Sequence, residues 1–133
     1  MNIDLLTSEE LEKLRELILA ADNIIVCSHV SPDGDAIGSS LAWAEALRLF
    51  GKKPIIIVPD QFPDFLRWLP GIETIVRYDK RSDEADAYIA DADLLFCLDF
   101  YFLVQHFLFF RQLYNLSWLL LTQHQQYLCL LFV

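Results

Sequence analysis

The chain has 133 residues, the length of one domain or of part of a larger protein. Hydrophobic residues make up 55% of it and charged residues 22%, which excludes a mainly disordered chain. Nineteen acidic residues against ten basic ones give a net charge of −9, which excludes electrostatic capture of long nucleic acid on a basic face. A polyanionic ligand would need positive charge from another source, such as divalent cations.

The predicted elements alternate between helices and short apolar strands. A capping box from Thr7 to Glu10 precedes leucines at helical spacing and predicts a helix at 8–21. Further helices are predicted at 36–50 and at 82–92, the latter with Ser82 as its cap. Continuous apolar or β-branched runs predict strands at 23–28, 53–58, 74–78 and 93–99. Irregular chain with a short helical turn at 64–69 separates the second predicted strand from the third. This order predicts an α/β fold with a mainly parallel sheet and helices on both faces.

Acidic side chains and one imidazole occur where two of these strands end. His29, Asp33 and Asp35 follow the first strand, and the last strand ends at Asp99. Ligands of parallel sheets bind outside the carboxyl ends of the strands, so we expect these side chains to lie together. Three carboxylates at one place repel one another unless a cation lies among them. Carboxylates with imidazole suit Mn²⁺ or another first-row metal, and Mg²⁺ is also compatible, so a two-metal phosphoryl-transfer site is predicted.

The helix after this loop offers a site for a phosphate. Ser39 and Ser40 lie near its predicted start, where free backbone N–H groups and the positive end of the helix dipole attract anions. We therefore predict that both hydroxyls contact phosphate.

Simpler interpretations exist for each residue taken alone. An Asp at a helix start is commonly a cap, a single histidine is more often structural, and Asp99 could be an ordinary strand-to-loop residue. An EF-hand is excluded because Ala44 stands where its twelfth residue should be glutamate. No Gly-Lys-Ser/Thr phosphate loop occurs. A haloacid-dehalogenase-type phosphatase is a remote alternative, since residues 29–32 separate the strand from the first Asp.

Residues 28–41, Ser-His-Val-Ser-Pro-Asp-Gly-Asp-Ala-Ile-Gly-Ser-Ser-Leu, resemble the first motif of the DHH phosphoesterases. The closest resemblance within them is to bacterial oligoribonucleases of the nano-RNase type, which also act as phosphatases on phosphoadenosine phosphate. Residues 96–100, Phe-Cys-Leu-Asp-Phe, resemble the second motif, and residues 65–71 also fit the family. The resemblance covers residues 1–100, which would be the N-terminal part of a DHH phosphoesterase domain.

This resemblance implies a ligand set and a reaction. His29 and Asp33 would hold one metal ion, Asp35 the other, and Asp99 would bridge the two. The implied cofactor is Mn²⁺, and activated water would attack phosphorus. The implied substrates are short oligonucleotides, cyclic dinucleotides or their linear products, and related phosphomonoesters.

The sequence departs from the family after residue 100. It contains no Asp-His-His tripeptide, which is the third motif, and it has no acidic residue beyond Asp99. The expectation is therefore a truncated domain that binds metal weakly and has little or no activity.

Residues 101–133 form an atypical apolar segment. Arg111 is their one charged residue, and they contain no glycine or proline. One hypothesis is translation in a different reading frame; a membrane span is disfavoured because Arg111 and many polar residues interrupt the segment. A helical or poorly ordered tail is expected. The alternative function is a non-catalytic interaction module that forms homo-oligomers through this tail.

The cysteines and the N-terminus favour a cytoplasmic protein. The start of the chain is acidic and has no signal-peptide pattern. Cys27, Cys97 and Cys129 are widely spaced, which disfavours a zinc knuckle or a disulfide framework. Cys27 and Cys97 lie in apolar runs and are expected to be small buried hydrophobic residues.

Overall fold

The structure is a computed structural model that describes residues 7–99 and 129–132. Within these residues three helices flank a five-stranded parallel sheet. The elements are α1 (Ser8–Ala20), β1 (Ile24–Ser28), α2 (Gly34–Leu49), β2 (Ile55–Val58), β3 (Val76–Arg77), α3 (Ser82–Asp91), β4 (Leu94–Leu98) and β5 (Cys129–Phe132). Short 3-10 turns occur at Asp64–Leu66 and Ile72–Thr74.

The strand order, β3-β2-β1-β4-β5, changes direction at β1 and β4. The chain runs from β1 outward to β2 and β3, and then returns to the other side of β1 to form β4. The connections that leave β1 and β4 therefore diverge, which makes this the switch point where parallel sheets bind ligands. Ser28 pairs with Leu98, so the next residues of the two strands, His29 and Asp99, leave the sheet side by side.

Helices cover both faces of the sheet, as predicted. On one face, residues of α1 and α2 pack against Ile24, Val26 and Phe96. Trp43 of α2 meets the Phe96 ring edge to face, with 5.2 Å between ring centroids. On the other face, α3 packs through Ala85 and Ile89 against the opposite side chains of the same strands. Each large apolar side chain buried in these layers stabilises the fold by about 1.5–3 kcal/mol.

Cys27 and Cys97 are buried in the layer beneath α3, as predicted. They are register partners in β1 and β4, and their sulfur atoms lie 3.5 Å apart without a disulfide bond.

The predicted capping box at the start of α1 is confirmed. The Thr7 amide donates to Glu10 Oε2 at 2.7 Å, and the Glu10 amide donates to Thr7 Oγ1 at 3.2 Å. The bond from the Thr7 amide lowers the pKa of Glu10 because it stabilises the ionised carboxylate.

Most predicted boundaries shift by one or two residues, as for the strand predicted at 53–58, which begins at Ile55. Three of the differences have a clear local reason. Helix α2 begins at Gly34, two residues early, because the Asp33 side chain caps it. Ser82 is the first residue of α3 and not its cap; Arg81 holds the cap position and ion-pairs with Glu84. Strand β3 starts at Val76 because the turn at Ile72–Thr74 takes up the residues before it.

The predictions for the apolar tail fall mostly on residues 100–128 and 133, which lie outside the described residues. Residues 129–132 form β5, a strand that pairs with β4 and was not predicted from the sequence. The reading-frame hypothesis, the interaction module and the homo-oligomer all depend on this segment and stay predictions. In the described part of the chain, no helix is both long enough and apolar enough to cross a membrane.

The Lys52 side chain caps the C-terminal end of α1. Its ammonium donates to the carbonyl oxygens of Leu19 at 2.8 Å and of Ala21 at 2.6 Å. Replacing it in Lys52→Met leaves both carbonyls without this donor and removes a cation from the negative end of the helix dipole. We expect the free energy of unfolding in urea to fall by about 1 kcal/mol.

The matched control is Lys53→Met. Lys53 is exposed, and its side chain donates no hydrogen bond within residues 7–99. Equal stability of the two variants would contradict the role of Lys52.

Candidate metal centre

His29 lies directly after β1, with its ring buried and its tautomer set by the backbone. Its Nδ1 atom is 2.7 Å from the carbonyl oxygen of Val30. A carbonyl oxygen only accepts hydrogen bonds, so Nδ1 carries the proton. In the neutral imidazole, Nε2 then keeps its lone pair, which is the form that binds a metal ion. This Nε2 faces the carboxylates of Asp33 and Asp99.

Asp33 has two roles in this loop. Its Oδ1 accepts hydrogen bonds from the amides of Asp35 and Ala36, each at 3.1 Å, and so caps α2. The same oxygen lies 3.9 Å from His29 Nε2. The cap fixes the direction of the carboxylate and leaves Oδ2 outside the capping bonds, while the side chain is 52% exposed.

Asp99 supplies the most deeply placed oxygen of the group. Its Oδ2 lies 3.5 Å from His29 Nε2, and the side chain is only 22% exposed. This oxygen is buried and accepts no hydrogen bond from the residues that the structure describes. A buried carboxylate oxygen without a donor costs free energy, and a bound cation would remove that penalty.

Ligand atoms of His29, Asp33 and Asp99 lie within 4.8 Å of one another. Two carboxylates and one imidazole are the donor set that Mn²⁺ and other first-row metals accept, and the carboxylates also suit Mg²⁺. The residues present therefore fit a divalent cation, and this group is the candidate metal centre.

Backbone strain is concentrated at the same edge. Among the described residues, the non-glycine residues with positive φ are Ser31, at 53°, and Asp99, at 57°. Such conformations cost about 1 kcal/mol or more each and persist where the surroundings hold them. Both residues belong to the loops that present the candidate ligands.

The other predicted site residues lie outside this group. Asp35 is exposed in the first turn of α2, and its role as a ligand of a second metal stays a prediction. Ser39 is exposed, and its hydroxyl donates to the Ala36 carbonyl at 3.2 Å. Ser40 is fully buried and donates to the same carbonyl at 2.7 Å, so in this structure it is closed off from a phosphate.

Asp60 is a residue of this edge that was not predicted from the sequence. It follows β2, and its carboxylate accepts from the Ser31 amide at 2.7 Å and from the Ser31 hydroxyl at 3.3 Å. The signal was its position just after a strand of the same parallel sheet.

One cation at this edge, Arg77, is already paired. Arg77, the last residue of β3, donates two hydrogen bonds to Asp79, at 2.7 and 3.1 Å. These bonds lower the pKa of Asp79 and raise that of Arg77, and the charges of Asp60 and Asp64 also raise the pKa of Arg77. The carboxylates near β1 and β4 therefore gain little neutralisation from Arg77.

Comparison with known proteins gives the family. Residues 23–108 match the DHH family, N-terminal domain, and the chain belongs to this family. Over 63 residues, 47% of the chain, it is 41% identical to the "bifunctional oligoribonuclease and PAP phosphatase NrnA" of Thermus thermophilus. Its structure is similar to a crystal structure of an exopolyphosphatase-related protein from Bacteroides fragilis, with a TM-score of 0.75 and 34% identity over 97% of the chain. The matches span 19% of the length of the first protein and 35% of the second.

The double role of Asp33 predicts that two substitutions separate its effects. Asp33→Ala removes the cap of α2 and should lower the free energy of unfolding, measured with EDTA present, by about 1 kcal/mol. Asp33→Asn should retain most of that stability because asparagine caps helices equally well. The matched control, Asp35→Ala, should change stability less, since no side-chain cap is lost. If Asp33→Ala unfolds like the wild type, the capping role is wrong.

Proposed function

We propose that this chain supplies the metal-binding part of a metal-dependent phosphoesterase that acts on short oligonucleotides or nucleotide phosphoesters. The observation that carries the proposal is the convergence of His29, Asp33 and Asp99 at the switch point of the sheet. Membership of the DHH family supports it, as does the similarity to the bifunctional oligoribonuclease and PAP phosphatase of Thermus thermophilus.

The proposed cofactor is Mn²⁺, with Mg²⁺ as the alternative. His29 would bind through Nε2, and Asp33 and Asp99 through carboxylate oxygens, while Asp35 would serve a second ion. When bound, the metal would supply Lewis-acid chemistry, activating water and stabilising negative charge on phosphate oxygens. The chain itself contributes a fixed imidazole tautomer and a buried carboxylate at this site.

The proposed phosphate contact would use Ser39 and the dipole of α2. Asp33 already accepts from the amides of Asp35 and Ala36, so these amides are engaged. Ser39 lies in the next turn of α2, and its side chain is exposed. Its hydroxyl can rotate towards a ligand if it gives up its hydrogen bond to the Ala36 carbonyl.

Charge supports a short substrate. The net charge of −9 repels an extended polyanion, whereas a short phosphoester can be held by the metal centre alone. We therefore propose no long nucleic acid partner and no membrane partner. A cytoplasmic setting is also proposed, supported by the wide spacing of the three cysteines, which form no Cys-x-x-Cys pair.

Mn²⁺ should stabilise the fold if the centre binds it. At ten times the dissociation constant, binding adds about 1.4 kcal/mol, which raises Tm by roughly 5 °C for a domain of this size. The Asp99→Asn variant should lose this shift because the buried anionic oxygen is gone. Differential scanning fluorimetry with Mn²⁺ or with EDTA measures both.

The control for this experiment is Asp91→Asn, which alters an exposed acid at the end of α3. It should keep the full shift. A shift that survives Asp99→Asn, or no shift in the wild type at millimolar Mn²⁺, would contradict the proposed metal centre.

Hydrolysis of the ribodinucleotide pApA tests the reaction. We expect slow, Mn²⁺-dependent release of AMP that EDTA and Asp99→Asn both abolish. Mn²⁺ binding without turnover would agree with the low activity predicted from the missing third motif and would limit this chain to holding metal. Turnover that survives Asp99→Asn would show that the proposed residues do not carry the reaction.

A further inference from the structure

We propose that Asp60 is a positioning residue that sets the tautomer and the ring orientation of His29. The inference rests on the proposed function, because it treats His29 as a metal ligand. Asp60 itself lies outside the group of His29, Asp33 and Asp99 and acts through the peptide between Val30 and Ser31.

The contacts form a continuous chain through one peptide group. Asp60 Oδ1 accepts from the Ser31 N–H at 2.7 Å, and the carbonyl on the other side of that peptide, Val30 C=O, accepts from His29 Nδ1 at 2.7 Å. A trans peptide is planar, and its N–H and C=O point in opposite directions. Holding the N–H therefore fixes the direction of the C=O. That carbonyl in turn keeps the proton on Nδ1 and leaves Nε2 for the metal.

The negative charge of Asp60 strengthens this series of hydrogen bonds. A carboxylate that accepts from a peptide N–H forms a stronger bond than a neutral acceptor does. Hydrogen bonds in series polarise one another, so the anion of Asp60 makes the Val30 carbonyl a better acceptor for His29. The arrangement resembles a carboxylate–histidine pair with one peptide group inserted between its members.

The backbone conformation of Ser31 shows why the hydrogen bond from Asp60 is needed. Ser31 has a φ of 53°, which a residue with a Cβ adopts only when its surroundings compensate. Ser31 is also exposed, so packing does not hold it in place. The Ser31 hydroxyl also donates to Asp60 Oδ2 at 3.3 Å, so both carboxylate oxygens of Asp60 bind Ser31.

Asp60→Ala should remove this hold. We expect Mn²⁺ to bind about tenfold more weakly, at the lower end of the effect of residues that orient metal ligands. We also expect the metal-free protein, at a pH where its histidines are neutral, to show a mixture of His29 tautomers instead of the Nδ1–H form alone. Isothermal titration with Mn²⁺ measures the affinity. Imidazole ¹⁵N shifts, assigned with a His29→Gln variant, measure the tautomer.

Asp60→Asn separates hydrogen bonding from charge. The asparagine carbonyl can still accept from the Ser31 N–H, so this variant should recover most of the affinity and the Nδ1–H tautomer. If Asp60 acted only by attracting the metal ion or Arg77 over a distance, asparagine would behave like alanine.

Should Asp60→Ala fail to fold, Asp60→Glu keeps the charge but displaces the oxygens by one methylene. Wild-type affinity and tautomer in Asp60→Glu would then overturn the proposal.

The matched control is Asp93→Ala. The Asp93 carboxylate accepts from the amides of Asp22 and Asn23, at 2.9 and 3.0 Å, at the opposite edge of the sheet. It should lower stability but leave Mn²⁺ affinity and the His29 tautomer unchanged.

The outcomes separate this inference from the proposed function. If the wild type binds no Mn²⁺, the metal centre is wrong, and the tautomer in the metal-free protein still decides the role of Asp60. If the wild type binds Mn²⁺ and Asp60→Ala keeps both its affinity and its tautomer, the role of Asp60 is wrong and the metal centre stands.

Discussion

The pairing of β1 with β4 is the constraint on which the rest of this structure depends. The two strands are adjacent in space although 70 residues separate Cys27 from Cys97. Their register brings both strands to an end at the same level, and His29 and Asp99 leave the sheet as neighbours. The helices pack onto both sides of this pair, and the topological switch point lies at its carboxyl edge. A shift of the register by one residue would turn every side chain of β4 to the other face and separate the two candidate ligands.

The site is built from groups that folding alone would disfavour. Asp99 has a buried oxygen without a donor in the described residues, and both Asp99 and Ser31 hold a positive φ. The apolar layers on both faces of the sheet supply the stability that tolerates these features. Asp33 lessens the conflict because one carboxylate both caps α2 and faces His29. Strain and unsatisfied charge therefore coincide with the place where a cation would be stabilising.

The electrostatics of the chain fit the same conclusion. The chain has a net charge of −9, and Arg77 is paired to Asp79, so Arg77 offers little positive charge to a phosphate at this edge. A divalent cation held by His29, Asp33 and Asp99 would provide it. The acidic composition, which disfavours long nucleic acid as a partner, is therefore compatible with the phosphoesterase proposal that the family supports.

The sequence by itself determined the helices, the main strands and three of the side chains that meet at the edge. These follow from local physics: a capping box, helical spacing of leucines, β-branched runs, and a dense loop of polar residues after a buried strand. The sequence could not show that Ser40 is buried or that β5 pairs with β4. Only the tertiary structure decided that Asp60 reaches Ser31, 29 residues earlier. The pairing of Cys27 with Ile57 brings those two loops together, and such register depends on how whole strands and helices pack rather than on any local pattern.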